Sequence, residues 1–364
     1  MNEKEQQILN SIKDNPYISQ SELADSLSIS RSTVAGYISS LTKNGYILGR
    51  AYILPKQPSI LCVGAANIDR KLQAVDSLDE GTSNPAKTEQ SGGGVARNIA
   101  ENLARLEMSV SLLSVIGEDH EGTWLLDRLK PLVDTTPSII IPTCRTGTYT
   151  AVLDKKGEMR IALSDMEIND VLDMEIIESR WGYFTSAKMV VLDTNFPSVI
   201  LTRVIEKCKQ FNTPLCITTV STAKIKRLPA QLLGVSFLIA NKDEASLLSG
   251  VKLTSEGDYF KACEIILAKG VERVIITRGE KGLVFATQDG EAGAIMPPFV
   301  QVVDVTGAGD ALASGIIYAH HKGMHIEDAC KIGIICASVT LTSKETVHPQ
   351  LSQKKLQHAF QEYF

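Results

Sequence analysis

The sequence predicts a two-part chain, in which a small N-terminal domain of three helices and a hairpin precedes a doubly wound α/β domain. Three observations favour this division. About 52 residues at the start have helical spacing, the proline-containing stretch at 53–59 separates two patterned regions, and short apolar runs then alternate with amphipathic helices. We therefore expect an N-terminal domain at 1–54, a linker at 55–59 and the α/β domain at 60–364.

The N-terminal segment carries helix start and stop signals in close succession. Ser19, with Glu22 three residues later, forms a capping box at the start of a second helix, and Ser30 precedes a third helix that ends near Gly45. The run YILGRAYIL that follows alternates like a short hairpin. Three helices and a hairpin describe a winged helix-turn-helix, and residues 3–54 resemble the winged-helix domains of bacterial transcription regulators.

The α/β domain is predicted from its apolar runs, such as SILCVG, MVVLDT, PLCITTV, FLIAN and RVIITRG, with helices between several of them. This alternation is typical of a mostly parallel sheet with helices on both faces. Residues 70–90 and 139–165 interrupt the rhythm, and TYTAVLDKKGEMRIAL in the second stretch predicts a β-hairpin with Lys156-Gly157 at its turn. We expect these strands to form a small β-sheet lid over the sheet edge.

Composition limits the classes of function. The 364 residues are 44 % hydrophobic and 22 % charged, as in a soluble globular protein, and the net charge of −5 gives no overall attraction to nucleic acid or to an anionic membrane. No apolar run reaches the roughly 18 to 20 residues that span a bilayer. The polar start has no signal-peptide pattern. We therefore expect a cytoplasmic protein with no membrane partner.

The strongest chemical signal is the run DVTGAGD at residues 304–310, which lies between an apolar stretch and a helix of small and apolar residues. Gly307, Ala308 and Gly309 would begin that helix with unobstructed backbone N–H groups, which polarise developing negative charge on phosphate. Asp310 in the first turn can accept the proton of a substrate hydroxyl as the oxygen attacks a γ-phosphoryl group. The alternative is a glycine-rich turn in which Asp310 only caps the helix.

This run resembles the C-terminal signature of the PfkB/ribokinase family of carbohydrate and nucleoside kinases, and SGGGVARNIAENLARL at residues 91–106 resembles the N-terminal signature. The resemblance covers residues 59–364. It implies a ribokinase-like fold with a β-sheet lid, phosphoryl transfer from ATP, magnesium, and an anion hole at Gly307–Gly309 with Asp310 as base. It also implies that residues 334–346 flank the adenine and a monovalent cation such as K⁺. Lid strands in the family often pair between subunits, which implies a homodimer.

The same resemblance assigns roles to further positions. Residues whose counterparts hold the acceptor are Asn67, Asp69, Gly93, Gly94 and Asn98. A carboxylate such as that of Asp69 suits a vicinal diol, because each oxygen can accept one hydroxyl. Residues implied to line the nucleotide are Asn241, Thr277, Gly279, Gly282 and Thr306, and Glu244 would orient magnesium through water. Read alone, GGG and NKDE are ordinary helix starts.

Two features favour one branch of the family. The turn TSNP at 82–85 and the run GGGVARNIAENLARL look like those of pseudouridine kinases, and VSTAK, which ends at Lys224, is similar to a segment of that branch. The implied reaction converts pseudouridine and ATP into pseudouridine 5′-phosphate and ADP, with Thr82 and Ser83 on the uracil edge and Lys224 at the nucleoside. TSNP is also a good turn sequence in its own right, and another nucleoside or a sugar is the alternative acceptor.

One departure from the family pattern concerns position 97. Ribokinase-like members often have a lysine within the GGxGAN stretch, whereas this chain has GGGVARN, with Arg97 before Asn98. The departure weakens assignment of ribose or a fructose phosphate as the acceptor.

The N-terminal domain supports a competing function, a transcription regulator that uses the kinase fold as a ligand sensor. Its third helix would read the major groove through Arg31, Ser32, Thr33 and Tyr37. Residues 1–55 hold five Lys/Arg and five Asp/Glu, so this domain lacks the excess positive charge on which phosphate binding depends. A helical appendage for assembly is the other reading. Because Asp310 and its glycines are intact, catalysis remains the primary prediction.

Overall fold

A computed structural model describes residues 2–43, 46, 47 and 60–364. The chain divides into two compact units, Met1–Lys56 and Gln57–Phe364. Apart from residues 46 and 47, the predicted hairpin of the N-terminal domain and the predicted linker lie outside the described residues.

The first unit contains α1 (Glu3–Asp14), α2 (Gln20–Ser26) and α3 (Arg31–Lys43). The predicted capping box at the start of α2 is confirmed, since Ser19 and Glu22 exchange hydrogen bonds with each other's backbone N–H. Apolar side chains from all three helices pack into one small core, in which Ile8, Leu23 and Val34 are almost fully buried.

The second unit alternates strands and helices. In chain order its strands are β1 (Ile60–Val63), β2 (Asn67–Ala74), β3 (Ala86–Gly93), β4 (Val110–Leu113), β5 (Val115–Gly117), β6 (Ile139–Ile141), β7 (Thr148–Leu153), β8 (Met159–Asp165), β9 (Met189–Asp193), β10 (Leu215–Thr218), β11 (Phe237–Asn241), β12 (Arg273–Thr277), β13 (Leu283–Thr287) and β14 (Ala292–Ile295). Its helices are α4 (Val95–Arg105), α5 (His120–Leu129), α6 (Met174–Ser179), α7 (Trp181–Ser186), α8 (Ser198–Phe211), α9 (Thr222–Ile225), α10 (Lys242–Ser249), α11 (Glu256–Leu267), α12 (Ala308–His321), α13 (Ile326–Leu341) and α14 (Gln353–Tyr363).

The larger sheet follows the order β14-β13-β12-β11-β10-β9-β1-β4. The strands from β12 to β4 pair in parallel, and β13 and β14 continue the sheet antiparallel. Alternate residues of β1 enter different cores: Ile60 and Cys62 pack on one face, and Leu61 and Val63 on the other. Burial on both faces explains why the strands are continuous apolar runs, and the predicted doubly wound, mostly parallel sheet is confirmed.

A second sheet, in the order β3-β2-β7-β8, corresponds to the predicted lid. The predicted hairpin joins β7 to β8, and its turn uses Gly157 at φ +85°, a conformation that glycine adopts without strain. β5 and β6 form a separate two-stranded parallel pair.

One feature of the larger sheet bears on where a ligand binds. β1 lies between β9 and β4, so the chain reverses its direction of winding at this strand, and ligands of such sheets bind outside the carboxyl ends of the strands at that point.

No helix in the described ranges combines the length and apolar character that a membrane span needs.

Candidate active site

The carboxyl ends of β1 and β9 are joined by a buried carboxylate, Asp193. Its Oδ2 atom accepts the backbone N–H of Ala65, after β1, at 2.8 Å and that of Ala96, in the first turn of α4, at 3.2 Å. Gly64 has no side chain because a Cβ there would overlap the Asp193 carboxylate. Burial raises the pKa of Asp193 above its usual value, while the backbone N–H bonds act in the opposite sense. Asp193 thus fixes the start of α4 against the sheet.

The DVTGAGD run forms the start of α12, as predicted. Gly307 caps the helix at φ +82°, and a side chain there would overlap the carbonyl oxygen of Thr346. The N–H of Ala308 lies 3.3 Å from the carbonyl oxygen of Val305, so this predicted anion-hole donor is engaged in the preceding turn. No acceptor among the described residues bonds the N–H of Gly309, and the space beside its Cα is open.

Asp310 meets α4 at this point. Its Oδ2 atom accepts a hydrogen bond of 2.8 Å from Nδ2 of Asn98, and its side chain is half-buried. Burial and, to a smaller extent, the negative charges of Asp193 and Asp69 raise the pKa of Asp310 to about 7, against the opposing effects of Asn98 and Arg97. A carboxyl group with this pKa can take up and release a proton near neutral pH, which suits general base catalysis.

The predicted acceptor-side residues converge with Asp310. Nδ2 of Asn67 donates to Oδ1 of Asp69 at 2.7 Å, and a side chain at Gly93 would overlap the Asp69 carboxylate. Gly94, at φ +98°, lies against the carbonyl oxygen of Ala65. Burial raises the pKa of Asp69, against the opposing effect of its bond from Asn67. Gly93 therefore brings backbone close to the Asp69 carboxylate and Gly94 brings it close to the Ala65 carbonyl, while their predicted contact with a sugar stays a prediction.

Arg97 has a structural role that accounts for the departure noted at this position. Its buried guanidinium donates to the carbonyl oxygen of Gly92 at 3.0 Å and to Oδ1 of Asn98 at 2.9 Å, and it pairs with Glu101 one turn along α4. Arg97 therefore orients the amide of Asn98, which in turn bonds Asp310. Because both terminal nitrogens of its guanidinium bond groups within the protein, this residue gives no direct information about the acceptor.

Thr82 and Ser83 do not join this cluster within one chain. The register of β2 and β3 pairs Asn67 with Gly93 at one end and Ala74 with Ala86 at the other, so the TSNP turn lies at the far end of the hairpin. At about 3.3 Å per residue the separation is roughly 23 Å. Asn84 braces this turn by exchanging hydrogen bonds with the Asp79 backbone at 2.8 and 2.9 Å, consistent with the alternative of a turn sequence.

Lys224 lies in α9, close enough to the cleft for charges there to act on it. Burial lowers the pKa of Lys224, Arg227 lowers it further, and the carboxylates of Asp170 and Asp193 oppose this. The charge of Asp193 acts on Lys224 and also on Asp310. Lys224 and Asp310 therefore lie at the same end of the sheet.

Glu244 begins α10 as part of a capping box with Asn241. Its Oε2 atom accepts the backbone N–H of Asn241 at 2.9 Å and the hydroxyl of Thr219, and the side chain is buried. Direct metal coordination through this oxygen would break both bonds, whereas contact through water to the other oxygen is compatible with them. In the described ranges no three metal-ligating side chains cluster. The residues present therefore fit a magnesium ion held through water and by the substrate's phosphates.

The predicted nucleotide residues occupy different surroundings. Thr277 ends β12 and is half-buried, and Gly279 faces open space at φ +62°. A side chain at Gly282 would meet the carbonyl oxygen of Ile295, so the fold itself requires this glycine, and its place beside ATP stays a prediction. Thr306 donates through its N–H and its hydroxyl to Asp304, at 2.9 and 2.7 Å.

A cavity of about 530 Å³ lies along α13 and α14. Its lining includes Ile335, Ser338 and Thr342, within the stretch 334–346 expected to flank the adenine. The backbone N–H of Val303 bonds the carbonyl oxygen of Leu341 at 2.8 Å, so this stretch adjoins the loop before α12. A nucleotide base in the cavity would lie beside that loop.

Sequence reasoning missed Asp193. The residue ends the apolar run MVVLD, and a polar residue at the carboxyl end of a buried parallel strand was the signal that could have identified it.

In the first unit, the predicted DNA-contacting residues lie at the start of α3. Arg31, Ser32 and Thr33 are exposed and Tyr37 is half-buried. The hydroxyls of Ser32 and Thr33 lie 2.8 and 2.7 Å from that of Ser30, so both are already engaged in capping α3.

Comparisons with known proteins agree with this geometry. Residues 57–353 match the model of the pfkB family carbohydrate kinases, and residues 1–47 match a winged helix-turn-helix DNA-binding model. The family resemblance drawn from residues 91–106 and 304–310 is thereby confirmed.

Three individual proteins illustrate the similarity. The uncharacterized sugar kinase YeiI of Escherichia coli (strain K12) is 30 % identical over 353 residues, 97 % of each chain. The pseudouridine kinase of the same strain is 32 % identical over 294 residues, 80 % of this chain and 93 % of that protein. The structure of Arabidopsis thaliana ribokinase complexed with ribose and ATP shares the fold, with a TM-score of 0.74, 22 % identity and coverage of 84 % of this chain and 99 % of that one.

Proposed function

The chain belongs to the pfkB family of carbohydrate kinases, and from this premise we propose that it transfers the γ-phosphoryl group of ATP to the 5′-hydroxyl of pseudouridine. The observation that carries the proposal is the hydrogen bond of 2.8 Å from Nδ2 of Asn98 to Oδ2 of Asp310, at the start of α12. It joins a carboxyl group with a pKa of about 7 to the helix that also bears the glycine-rich acceptor loop.

In the proposed reaction each group of this cluster has one role. Asp69 accepts hydrogen bonds from ribose hydroxyls and holds the acceptor. Asp310, in its ionised form, takes the proton of the attacking hydroxyl while the new P–O bond forms and the bond to ADP breaks. The free N–H of Gly309 and the positive end of α12 stabilise the negative charge on the migrating group.

Magnesium and ATP complete the proposed site. Glu244 would hold the magnesium ion through water, and the ion would neutralise charge on the phosphates. The adenine would occupy the cavity of about 530 Å³ beside α13. Support for ATP comes from the ribokinase of the same fold, whose structure was solved with ribose and ATP. Asn241, Thr277 and Thr306 remain proposed nucleotide residues.

The acceptor assignment rests on similarity. The pseudouridine kinase of Escherichia coli is 32 % identical, and the sugar kinase YeiI is about equally similar, so another nucleoside or a sugar is the alternative acceptor. The assignment includes Lys224 at the nucleoside, and Thr82 and Ser83 at the base if a second subunit brings their turn to the cleft.

A phosphorylation screen with ATP and magnesium tests the proposal. The acceptors are pseudouridine, uridine, ribose and a panel of nucleosides and sugars; uridine is the matched acceptor, because it differs only in its glycosidic bond. We expect product with pseudouridine and a loss of roughly 10²–10⁴-fold in kcat for Asp310→Asn. Product with another acceptor and none with pseudouridine would show that the proposed substrate is wrong. Full activity of Asp310→Asn would show that Asp310 is not the base.

The lid supports the proposal of a homodimer. Ile161 and Leu163 share one face of β8, since they pair with Val152 and Thr150 of β7, and they are 53 % and 61 % exposed. Two large apolar side chains side by side on one open face favour burial against a second protein surface. A second copy of the chain would provide that surface through its own lid.

DNA binding is a second candidate function, favoured by the match of residues 1–47 to a winged helix-turn-helix DNA-binding model. Arg31 at the start of α3 is the exposed cation that we expect to contact DNA. Selection of bound fragments from a random DNA library, repeated with Arg31→Ala and with pseudouridine present, tests this function. Recovery of one motif by the wild type and its loss in the variant would support it; equal recovery of all sequences would contradict it.

A further inference from the structure

One ion pair joins the lid sheet to the loop that precedes α12. Lys71 lies on β2, two residues beyond Asp69, so both side chains leave the same face of the strand. The Lys71 ammonium group bonds Asp304, the first residue of DVTGAGD, and the two side chains are only 26 % and 23 % exposed. The pair thus connects the strand that carries the proposed acceptor site to the loop that carries the proposed base.

The partner carboxylate organises the loop from within. While Oδ2 of Asp304 meets Lys71, Oδ1 accepts both the N–H and the hydroxyl of Thr306, at 2.9 and 2.7 Å. Although burial acts to raise it, hydrogen bonds from Lys71 and Thr306 hold the pKa of Asp304 below its usual range. Asp304 is therefore ionised at neutral pH, and the loop that it holds leads directly into Gly307.

Other contacts reach this loop from α13 and β3 without supplying a second cation to Asp304. The N–H of Val303 donates to the carbonyl oxygen of Leu341 at 2.8 Å, and Thr346, whose carbonyl lies against Gly307, donates through its hydroxyl to the carbonyl oxygen of Gly92 on β3 at 2.9 Å. In the described part of the chain, no other lysine or arginine forms an ion pair with Asp304. Lys71 therefore carries the electrostatic link between lid and loop.

We propose that Lys71 is a positioning residue, which holds β2 at a fixed distance from α12 so that an acceptor bound at Asp69 lies against Asp310. The inference rests on the proposed function. Lys71 acts through Asp304 and contacts neither substrate. A shift of about 1 Å between an acceptor hydroxyl and its base can cost about 100-fold in rate, so a small movement of the lid is sufficient for a large effect.

The tethered ammonium also bears on the expected monovalent cation. It places a positive charge beside residues 341–346, within the stretch where the resemblance implies K⁺. We therefore expect wild-type turnover to be similar in K⁺, Na⁺ and choline salts, and we expect a dependence on small cations to arise when Lys71 is replaced by alanine.

Steady-state kinetics of Lys71→Met and Lys87→Met test the inference. Lys87 is an exposed lysine on the same lid face, so its replacement is the matched control. We expect Lys71→Met to lose 10- to 100-fold in kcat with the KM for ATP changed less than twofold, Lys71→Arg to retain most activity, and Lys87→Met to behave as wild type. Lys71→Met and the double variant with Asp304→Asn should lose activity equally, because each removes the same pair.

Chemical rescue gives an independent readout. Ethylammonium ions should restore turnover to Lys71→Ala at least fivefold, whereas choline, which is too large for the gap, should not. If thermal melting shows that Lys71→Met does not fold, the rescue of Lys71→Ala and the activity of Lys71→Arg test the inference instead. Equal activity of Lys71→Met and Lys87→Met, multiplicative losses in the double variant, or absence of rescue would overturn the inference. An inactive wild type in the acceptor screen would instead remove the proposed function.

Discussion

At the scale of single residues, the site depends on the surroundings of Asp310. Burial is the main cause that raises its pKa to about 7, and the carboxylates of Asp193 and Asp69 add to it. The hydrogen bond from Asn98 and the charge of Arg97 act in the opposite sense. The proposed base is thus held where a modest change of pH alters the fraction that is ionised.

The first prediction concerns the pH dependence of turnover. Since only ionised Asp310 accepts a proton, log(kcat/KM) should rise with a slope near one up to a pH of about 7 and be level above it. Initial rates from pH 5.5 to 8.5 at saturating magnesium check this. A profile without an acid limb in that range would show that no group with this pKa controls the reaction.

The second prediction separates the enzyme's ionisation from that of ATP. Replacing Asp193 by asparagine removes a negative charge that raises the pKa of Asp310, so the acid limb should move to lower pH. Because an amide has one acceptor oxygen, it cannot replace both Oδ2, which accepts from Ala65 and Ala96, and Oδ1, which accepts from Asn195, so we also expect a roughly 10-fold lower plateau rate.

Asp119→Asn is the matched control for that comparison. Asp119 also accepts a backbone N–H, from Gly122 at 2.7 Å, but it is absent from the charges that act on Asp310. The acid limb in the pH profile of Asp119→Asn should coincide with that of the wild type. If Asp193→Asn leaves the limb unmoved as well, the titration belongs to another group or to the substrate.

At the scale of elements, the sequence predicted those strands and helix starts that depend on residues close together along the chain. Apolar runs predicted the strands, the Ser19–Glu22 pair predicted the start of α2, and the glycines of DVTGAGD predicted the start of α12. Each of these depends on residues close in sequence. The same holds for Asn98 and Asp310 as site residues, since each lies in a short motif at a helix start.

The remaining features depend on register and on distant contacts. Lys71 and Asp304 are 233 positions apart, and nothing in their local sequence marks them as partners. The location of Thr82 and Ser83 is decided by an eight-residue strand pairing, which puts them at the far end of the lid. Gly282 fits a family motif, yet its small size is required by the carbonyl of Ile295.

The third prediction is that the lid forms the subunit interface. Ile161→Lys introduces a charge into the exposed apolar face of β8, so the mass measured by light scattering should fall from that of a dimer to the 39.6 kDa of one chain. Ser164→Lys, on the opposite face of the same strand, should remain dimeric. A wild type that is already monomeric, or an Ile161→Lys dimer, would contradict this assignment.

At the scale of the whole molecule, the proposed catalytic base also affects the free energy of unfolding. The pKa of Asp310 is about 7 in the folded chain against 3.8 for a free aspartate. Because the folded pKa is the higher one, ionisation destabilises the folded state. The penalty is absent below pH 4, grows between pH 4 and 7, and is complete above pH 7.

The fourth prediction follows from that sign. Asp310→Asn cannot ionise, so its melting temperature relative to the wild type should increase from pH 5 to pH 8, by a few degrees for a penalty on the order of 1–2 kcal/mol. Asp258→Asn is the control: hydrogen bonds from Ser255 and Thr254 hold the pKa of Asp258 far below its usual value, so it is ionised at both pH values and its difference from wild type should stay constant. A constant difference for Asp310→Asn as well would mean that its carboxyl is ionised as easily in the folded chain as in water, and the proposed base would then lack the raised pKa on which its role depends.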